Sequence, residues 1–166
     1  MSTFNNYNYN KLVEFIKIHQ EDFYRLAYSH VHNRESALDI VQDSIYKGLT
    51  SVHKLKNIDK LKTWMFSIIV NTSISYLRKN KRLIITNDFP ESIERENIDI
   101  ADRIDLYHAI EKLDVKYRTI IVLRYFEDMK IEEVADITGL NINTVKSRLY
   151  NGIDKLKVIL DKWGAI

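Results

Sequence analysis

Four glycines and one proline in 166 residues leave this chain few ways to turn. A many-stranded sandwich or barrel needs a turn signal every eight to twelve residues, and a repeat array needs regular punctuation. Neither can be assembled here, so long helices are the expectation and an all-β fold is excluded. An apolar fraction of 45%, with 11% aromatic residues, is enough to build cores for one ordinary domain or two very small ones.

The absence of cysteine removes any disulfide framework, thiolate zinc site or cysteine nucleophile. The polar, Asn- and Tyr-rich start, Met1 to Tyr9, has no basic region leading into an apolar one, so no export signal is read. Tyr7 and Tyr9 read as a frayed end. The longest uncharged apolar stretch, Trp64 to Leu77, is interrupted by Ser67, Asn71, Thr72, Ser73 and Ser75 and falls short of a membrane span. A cytoplasmic location is expected.

Hydrophobic spacing places the helices. Leu12, Phe15, Ile16, His19, Phe23, Leu26, Ala27 and Val31 recur every three or four residues and predict a helix from about Lys11 to His32. Asn33 suits an N-cap for a second helix striped by Ala37, Leu38, Val41, Ile45 and Leu49. A Lys-rich loop follows from Lys54 to Lys62, and then a third helix around Trp64 to Leu77 with a basic tail, Arg78 to Arg82. From Ile84 to Ile104 periodicity lapses around the sole proline, Pro90. As a flexible coil, twenty such residues average about 25 Å, and fully extended they reach ~65 Å. The expected architecture is all-α: a module over 1–84, a flexible acidic linker over 85–104 and a second module over 105–166, able to act some distance apart.

Charge separates along the same lines although the total is only +2. Residues 1–85 hold 13 Lys/Arg against 7 Asp/Glu, residues 86–105 hold 2 against 7, and residues 106–166 hold 10 against 9. Eight basic residues between Lys54 and Arg82 face only Asp59, a patch suited to phosphates. Tyr46, Trp64, Phe66 and Tyr76 lie near it; such rings can stack on unpaired bases or simply form core.

The last module carries the most informative pattern. A short helix marked by Ile131, Val134, Ala135 and Ile137 ends at Gly139, where a left-handed corner is needed, and Asn141 caps the next helix. There Val145, Leu149, Ile153 and Leu156 form the inward stripe, leaving Asn143, Lys146, Ser147, Tyr150 and Asn151 outward. This is the layout of a helix-turn-helix, in which basic and amide side chains read the major groove while hydroxyls mostly hold phosphates. His30, His32 and Glu35 do not present a metal site, because an H-x-H spacing points the rings to different helix faces. With no Gly-rich phosphate loop and no nucleophile elbow, neither a cofactor nor enzymatic activity is expected.

These residues resemble the extracytoplasmic-function (group IV) sigma factors of bacterial RNA polymerase, in both modules and in the correct order. Ala37 to Ile45, reading ALDIVQDSI, is similar to that family's region 2 segment A-x-D-(L/I)-V-Q-(E/D)-x-F. The resemblance implies docking on the clamp helices of the polymerase β′ subunit through Asp39, Gln42 and Asp43. Thr63 to Lys79 is similar to the helix that binds and opens the -10 element. Lys54, Lys56, Asn57, Lys60, Lys62, Trp64, Asn71, Arg78 and Lys79 are its implied contacts, the Lys54 to Thr63 loop forming a pocket for a displaced base. Leu113 to Leu156 resembles region 4, which reads the -35 element and binds the β flap. Its implied DNA contacts are Asn143, Thr144, Lys146, Ser147, Arg148, Tyr150 and Asn151.

The resemblance further implies a linker running toward the RNA path, stress or envelope-response genes as targets, and an anti-sigma factor, membrane-bound, as inhibitor. Three departures stand out: Ser75 for the usual Asp, Asp114 for the usual Pro, and Asn151 to Asp154 (NGID) for an Arg-rich R-A-R run. With Lys146 and Arg148 as the sole basic groups from Asn141 to Asp154, the module is expected to bind DNA weakly unless polymerase holds it nearby. One alternative is a stand-alone helix-turn-helix regulator working as a symmetric dimer on a palindrome. Another is an RNA-binding or interaction module using the basic patch alone.

Overall fold

The computed structural model describes residues 3–86 and 101–164, with side chains over 6–81 and 106–164. Every regular element among them is helical. α1 spans Thr3–Val31, α2 Arg34–Ser51 and α3 Leu61–Thr86, with 3-10 turns at Val52–Lys54 and Ile58–Lys60 between the last two. α4 spans Ala101–Glu111, and α5, Val115–Ile121, continues into one π-helical turn, Val122–Phe126. α6 (Ile131–Thr138) and α7 (Ile142–Lys162) complete the helices among the described residues.

The first three helices pack around Phe23, Phe66, Leu12, Leu26, Ile40, Met65 and Ile69, all fully buried, with Phe23 and Phe66 meeting edge to face at 5.4 Å. Asn33 is extended and its side chain accepts Ser36 N–H at 2.9 Å, as the N-cap expectation required. α1 begins earlier than its apolar stripe suggested and carries a kink at His19, so Tyr7 and Tyr9 lie on a helix and not in a frayed end. Phe66 is core, not a stacking platform, and Tyr76 is half-buried with its hydroxyl 2.6 Å from Ser36 Oγ.

α3 runs two residues into the expected linker and α4 takes its last four. Residues 87–100, the rest of that linker, lie outside the described residues, as does the Arg82 side chain.

The two helical groups do not stand apart. A single apolar core runs from Leu12 and Phe66 through Ile120 and Leu123 to Val145 and Leu149, and α3 lies on α6 while α1 lies on α5. The length of the linker bounds how far apart the modules can act but says nothing about the affinity of their facing surfaces, which here pack together.

Candidate nucleic-acid interface

The second helix of the corner is built from its cap outward. Gly139 adopts φ +70°, a left-handed conformation that costs an L-residue about 1–2 kcal/mol. The Asn141 side chain accepts Thr144 N–H at 2.8 Å, starting α7. Val145 and Leu149 are buried beneath it. Asn143, Lys146, Ser147, Tyr150 and Asn151 are exposed, while Thr144 and Arg148 are half-buried at the edge of the same face.

The departures in this module have local reasons. A Cβ on Gly152 would lie 3.0 Å from Ile121 Cδ1 and 3.2 Å from Tyr117 Cβ, so the glycine lets α7 approach α5 closely. Asp114 sits at φ −57°, ψ 143°, a conformation proline also takes, so either residue suits this backbone, and a carboxylate there favours the start of α5.

On α2, Asp39, Gln42 and Asp43 are exposed, whereas Ala37, Ile40, Val41 and Ser44 are buried against the core. Asp43 pairs with Lys47 at 2.8 Å, one turn away, and Lys47 also donates to Thr72 Oγ1 at 3.2 Å.

The basic surface gathers from two segments. Lys54, Lys56, Asn57 and Lys60 are exposed on the turns between α2 and α3, and Asn71, Arg78 and Lys79 are exposed along α3. Lys62 and Trp64 are half-buried, the indole packing on the core. Asn57 caps its own turn, its Oδ1 accepting Asp59 N–H at 2.9 Å.

Two of these lysines face the other helical group. Lys62 Nζ donates to the Glu127 carbonyl oxygen at 3.3 Å, and Lys60 Nζ lies 3.9 Å from Asp136 Oδ2 on α6. Around them is a contact network that no periodicity in the sequence foreshadows. Arg25 Nη1 bridges Asp22 at 3.3 Å and the buried Glu127 carboxylate at 3.1 Å. Burial, reinforced by the nearby Asp22 charge, raises the Glu127 carboxyl to about 7 against the opposing pull of Arg25 and Lys62.

His30, on α1, meets Leu26 O through Nδ1 at 2.9 Å and Thr119 Oγ1 of α5 through Nε2 at 3.0 Å. Burial lowers its pKa to about 4 despite the Leu26 bond, with the Arg118 charge acting in the same direction. His32, at φ 50°, is likewise lowered to about 4 by burial, then by the charges of Arg118 and His30. Glu111 Oε1 is 3.7 Å from His32 Nδ1, beyond hydrogen-bond reach, and the neutral ring makes no ion pair. Arg118 itself is buried, donating Nη1 to the carbonyls of Glu111 at 2.9 Å and Leu113 at 3.2 Å, and burial lowers its pKa. Among the described residues no three His, Asp or Glu side chains converge as metal ligands, and no helix is long and apolar enough to cross a membrane.

Beside this network an apolar groove of about 630 Å³ opens between the groups, walled by Tyr24, Tyr28, Leu38 and Val41 on one side and Tyr107, Ile110 and Phe126 on the other.

Residues 15–83 match the family model for Sigma-70 region 2, and residues 103–156 match that for Sigma-70, region 4. The chain is 45% identical over 152 residues to the RNA polymerase sigma factor SigV of Bacillus subtilis, covering 91% of this chain and 92% of the relative. It is 24% identical over 163 residues to the ECF RNA polymerase sigma factor SigW of the same organism, covering 87% of this chain and 86% of SigW. The chain belongs to the sigma-70 family, in its extracytoplasmic-function group.

As such it is an alternative sigma factor, a transcription initiation factor that directs RNA polymerase to particular promoters. A stand-alone regulator is not favoured, because region 2 would then have no purpose. Among solved structures, the sigma factor resembles RpoE in its co-crystal with the anti-sigma factor NepR from Bartonella quintana. The TM-score is 0.77 at 27% identity, covering 89% of this chain and 95% of that one. CnrH, solved with the cytosolic domain of CnrY, shares the fold with a TM-score of 0.67 at 23% identity, over 91% and 88% of the two chains.

Proposed function

We propose that residues 1–84 dock on the polymerase core and capture the -10 strand, that 105–166 read the -35 duplex, and that 85–104 join them. Asp39, Gln42 and Asp43 contact the β′ clamp helices. The turns carrying Lys54, Lys56, Asn57 and Lys60, with Lys62, Trp64, Asn71, Arg78 and Lys79 of α3, receive the displaced strand. Asn143, Thr144, Lys146, Ser147, Arg148, Tyr150 and Asn151 face the major groove while the β flap holds their module. The observation that carries this reading is that one chain exposes both an acidic face on α2 and a polar-basic face on α7, each over a buried stripe.

The packed arrangement is then a resting state. Lys60 and Lys62 cannot hold region 4 and promoter phosphates at once, and -10 and -35 elements lie on the order of 50 Å apart at ~35 Å per turn. Promoter engagement therefore separates the modules. An anti-sigma factor, membrane-bound and released by an envelope or stress signal, holds the resting state by laying an apolar segment in the groove lined by Tyr24, Val41, Ile110 and Phe126. Support comes from the likeness to RpoE, whose solved structure contains an anti-sigma factor.

Co-elution with cognate core polymerase, followed by run-off transcription from a promoter library, tests the reading. New promoter-specific transcripts are expected. Tight binding to duplex DNA without any binding to core would replace this reading with the stand-alone regulator.

A further inference from the structure

The segment joining α2 to α3 bears four of the proposed strand contacts and is built from two short 3-10 turns, Val52–Lys54 and Ile58–Lys60. Two local turns close it, Leu55 N–H to Val52 O at 3.0 Å and Lys60 N–H to Asn57 O at 3.1 Å. Val52 is buried in the core and Ile58 packs against it, and between them Leu55 is anchored twice. The Leu55 side chain is buried in the core, and its carbonyl accepts a hydrogen bond from Asn8 Nδ2 at 3.2 Å. Among the described residues, no other side chain from outside the segment bonds its backbone.

Asn8 lies on α1, 47 positions away, and is only 1% exposed. Its Oδ1 is buried without a partner. An amide half of whose hydrogen bonding is unmet is a poor choice for packing alone, since desolvating it costs free energy that an apolar side chain of similar size would not lose. The compensating feature is the bond to Leu55 O. With side chain and carbonyl both held, the peptide plane between Leu55 and Lys56 is restrained, and that plane sets where the next residues start. Lys54 and Lys56 flank the buried Leu55 and are both exposed, and Asn57 follows directly.

We propose that Asn8 is a positioning residue for -10 strand capture, fixing the Leu55 to Lys56 peptide so that Lys56 and Asn57 meet the displaced strand in one register. It rests on the reading of this segment as the -10 contact. Asn8 touches no DNA; it acts through the loop, and its loss blurs discrimination among -10 sequences more than it weakens the fold.

The test uses the full chain with its cognate core polymerase. Asn8→Asp preserves the shape but replaces the donor with a carboxylate, and Asn8→Leu removes both polar atoms. Permanganate reactivity of the -10 thymines is compared between the cognate promoter and promoters with single -10 substitutions. Core affinity and -35 discrimination are read in parallel. Both variants are expected to lower the cognate-to-substituted ratio by about tenfold, with core affinity and -35 discrimination within about twofold of wild type. An unchanged ratio overturns the proposal, as does a loss shared equally by core binding and -35 discrimination, which would give Asn8 a role in the fold alone. Lys56→Ala with Asn57→Ala separates the two levels. If that pair opens promoters normally, the -10 reading of the segment falls and the role of Asn8 with it. If the pair is impaired while the Asn8 variants are not, only the role of Asn8 falls.

Discussion

Arg25 and Glu127, 102 positions apart, meet at 3.1 Å where α1 faces the end of the α5 segment. The glutamate side chain is almost fully buried, while the arginine keeps 37% of its surface in solvent. The pair is the polar centre of the contact between region 2 and region 4. Its carboxylate also lies near Asp22, so Arg25 shields two acids from one another.

Arg25→Ala should therefore loosen the packed arrangement more than loss of one surface ion pair would. It leaves Glu127 and Asp22 facing each other without their shared cation. A cost of about 1–2 kcal/mol is expected, between the values for exposed and buried pairs. Glu127→Gln keeps the shape and removes the repulsion, and should leave the packing intact or tighten it. A fluorophore pair on α2 and α7 reports the separation, and equal transfer efficiency in wild type and Arg25→Ala would show that the pair holds nothing.

Stability should depend on pH through groups that pull in opposite directions. His30 and His32 are lowered to about 4 in the folded chain, so the unfolded chain binds more protons between about 4 and 6.5, and stability falls as pH falls through that window. Glu127 is raised to about 7, so the folded chain binds more protons between about 4.5 and 7, and its contribution grows as pH falls through that window. Two histidines outweigh one glutamate, and the urea midpoint should drop below about pH 6. His30→Gln with His32→Asn should flatten that drop, since asparagine tolerates the φ of 50° at position 32. An unchanged acid slope would place the lability elsewhere.

Gln42→Ala with Asp43→Ala should weaken core polymerase binding about tenfold while unfolding within about 0.5 kcal/mol of wild type. Both side chains are exposed, and the Asp43–Lys47 pair is a one-turn surface contact of a few tenths of a kcal/mol. Titration of labelled core against each protein measures it. Wild-type affinity would remove these residues from the docking surface.

Asn143→Ala should relax discrimination at one -35 base pair by about 1–3 kcal/mol if its amide pairs with a base edge. Lys146→Ala should instead weaken binding across sequences and reduce the salt dependence, the signature of a phosphate contact. Run-off transcription from -35 variants at two salt concentrations separates the two. Neither change should alter core binding.

Features set within one turn of chain were legible from the sequence. The Asn33 and Asn141 caps depend on residues three positions away, and the Gly139 corner on its own φ, so residue type and spacing were sufficient. The exposed faces of α2 and α7 follow equally from periodicity. Tyr7 and Tyr9 were misread because polar residues hide a helix whose reason for forming lies in what it covers, the loop held by Asn8. The ends of α3 and α4 reach into the expected linker because charge and a proline mark where a core ends, not where backbone hydrogen bonding stops.

The sequence by itself determined the all-α class, the order of the two modules and the family, since each rests on local spacing and short motifs. Only the tertiary structure decided that the modules lie against one another, that His30 meets Thr119, that Arg25 meets Glu127 and that Lys60 and Lys62 face region 4. Those contacts join positions 65 to 102 residues apart. Such pairs carry no periodic signature, because their energy comes from complementary surfaces that exist only after each helix has folded.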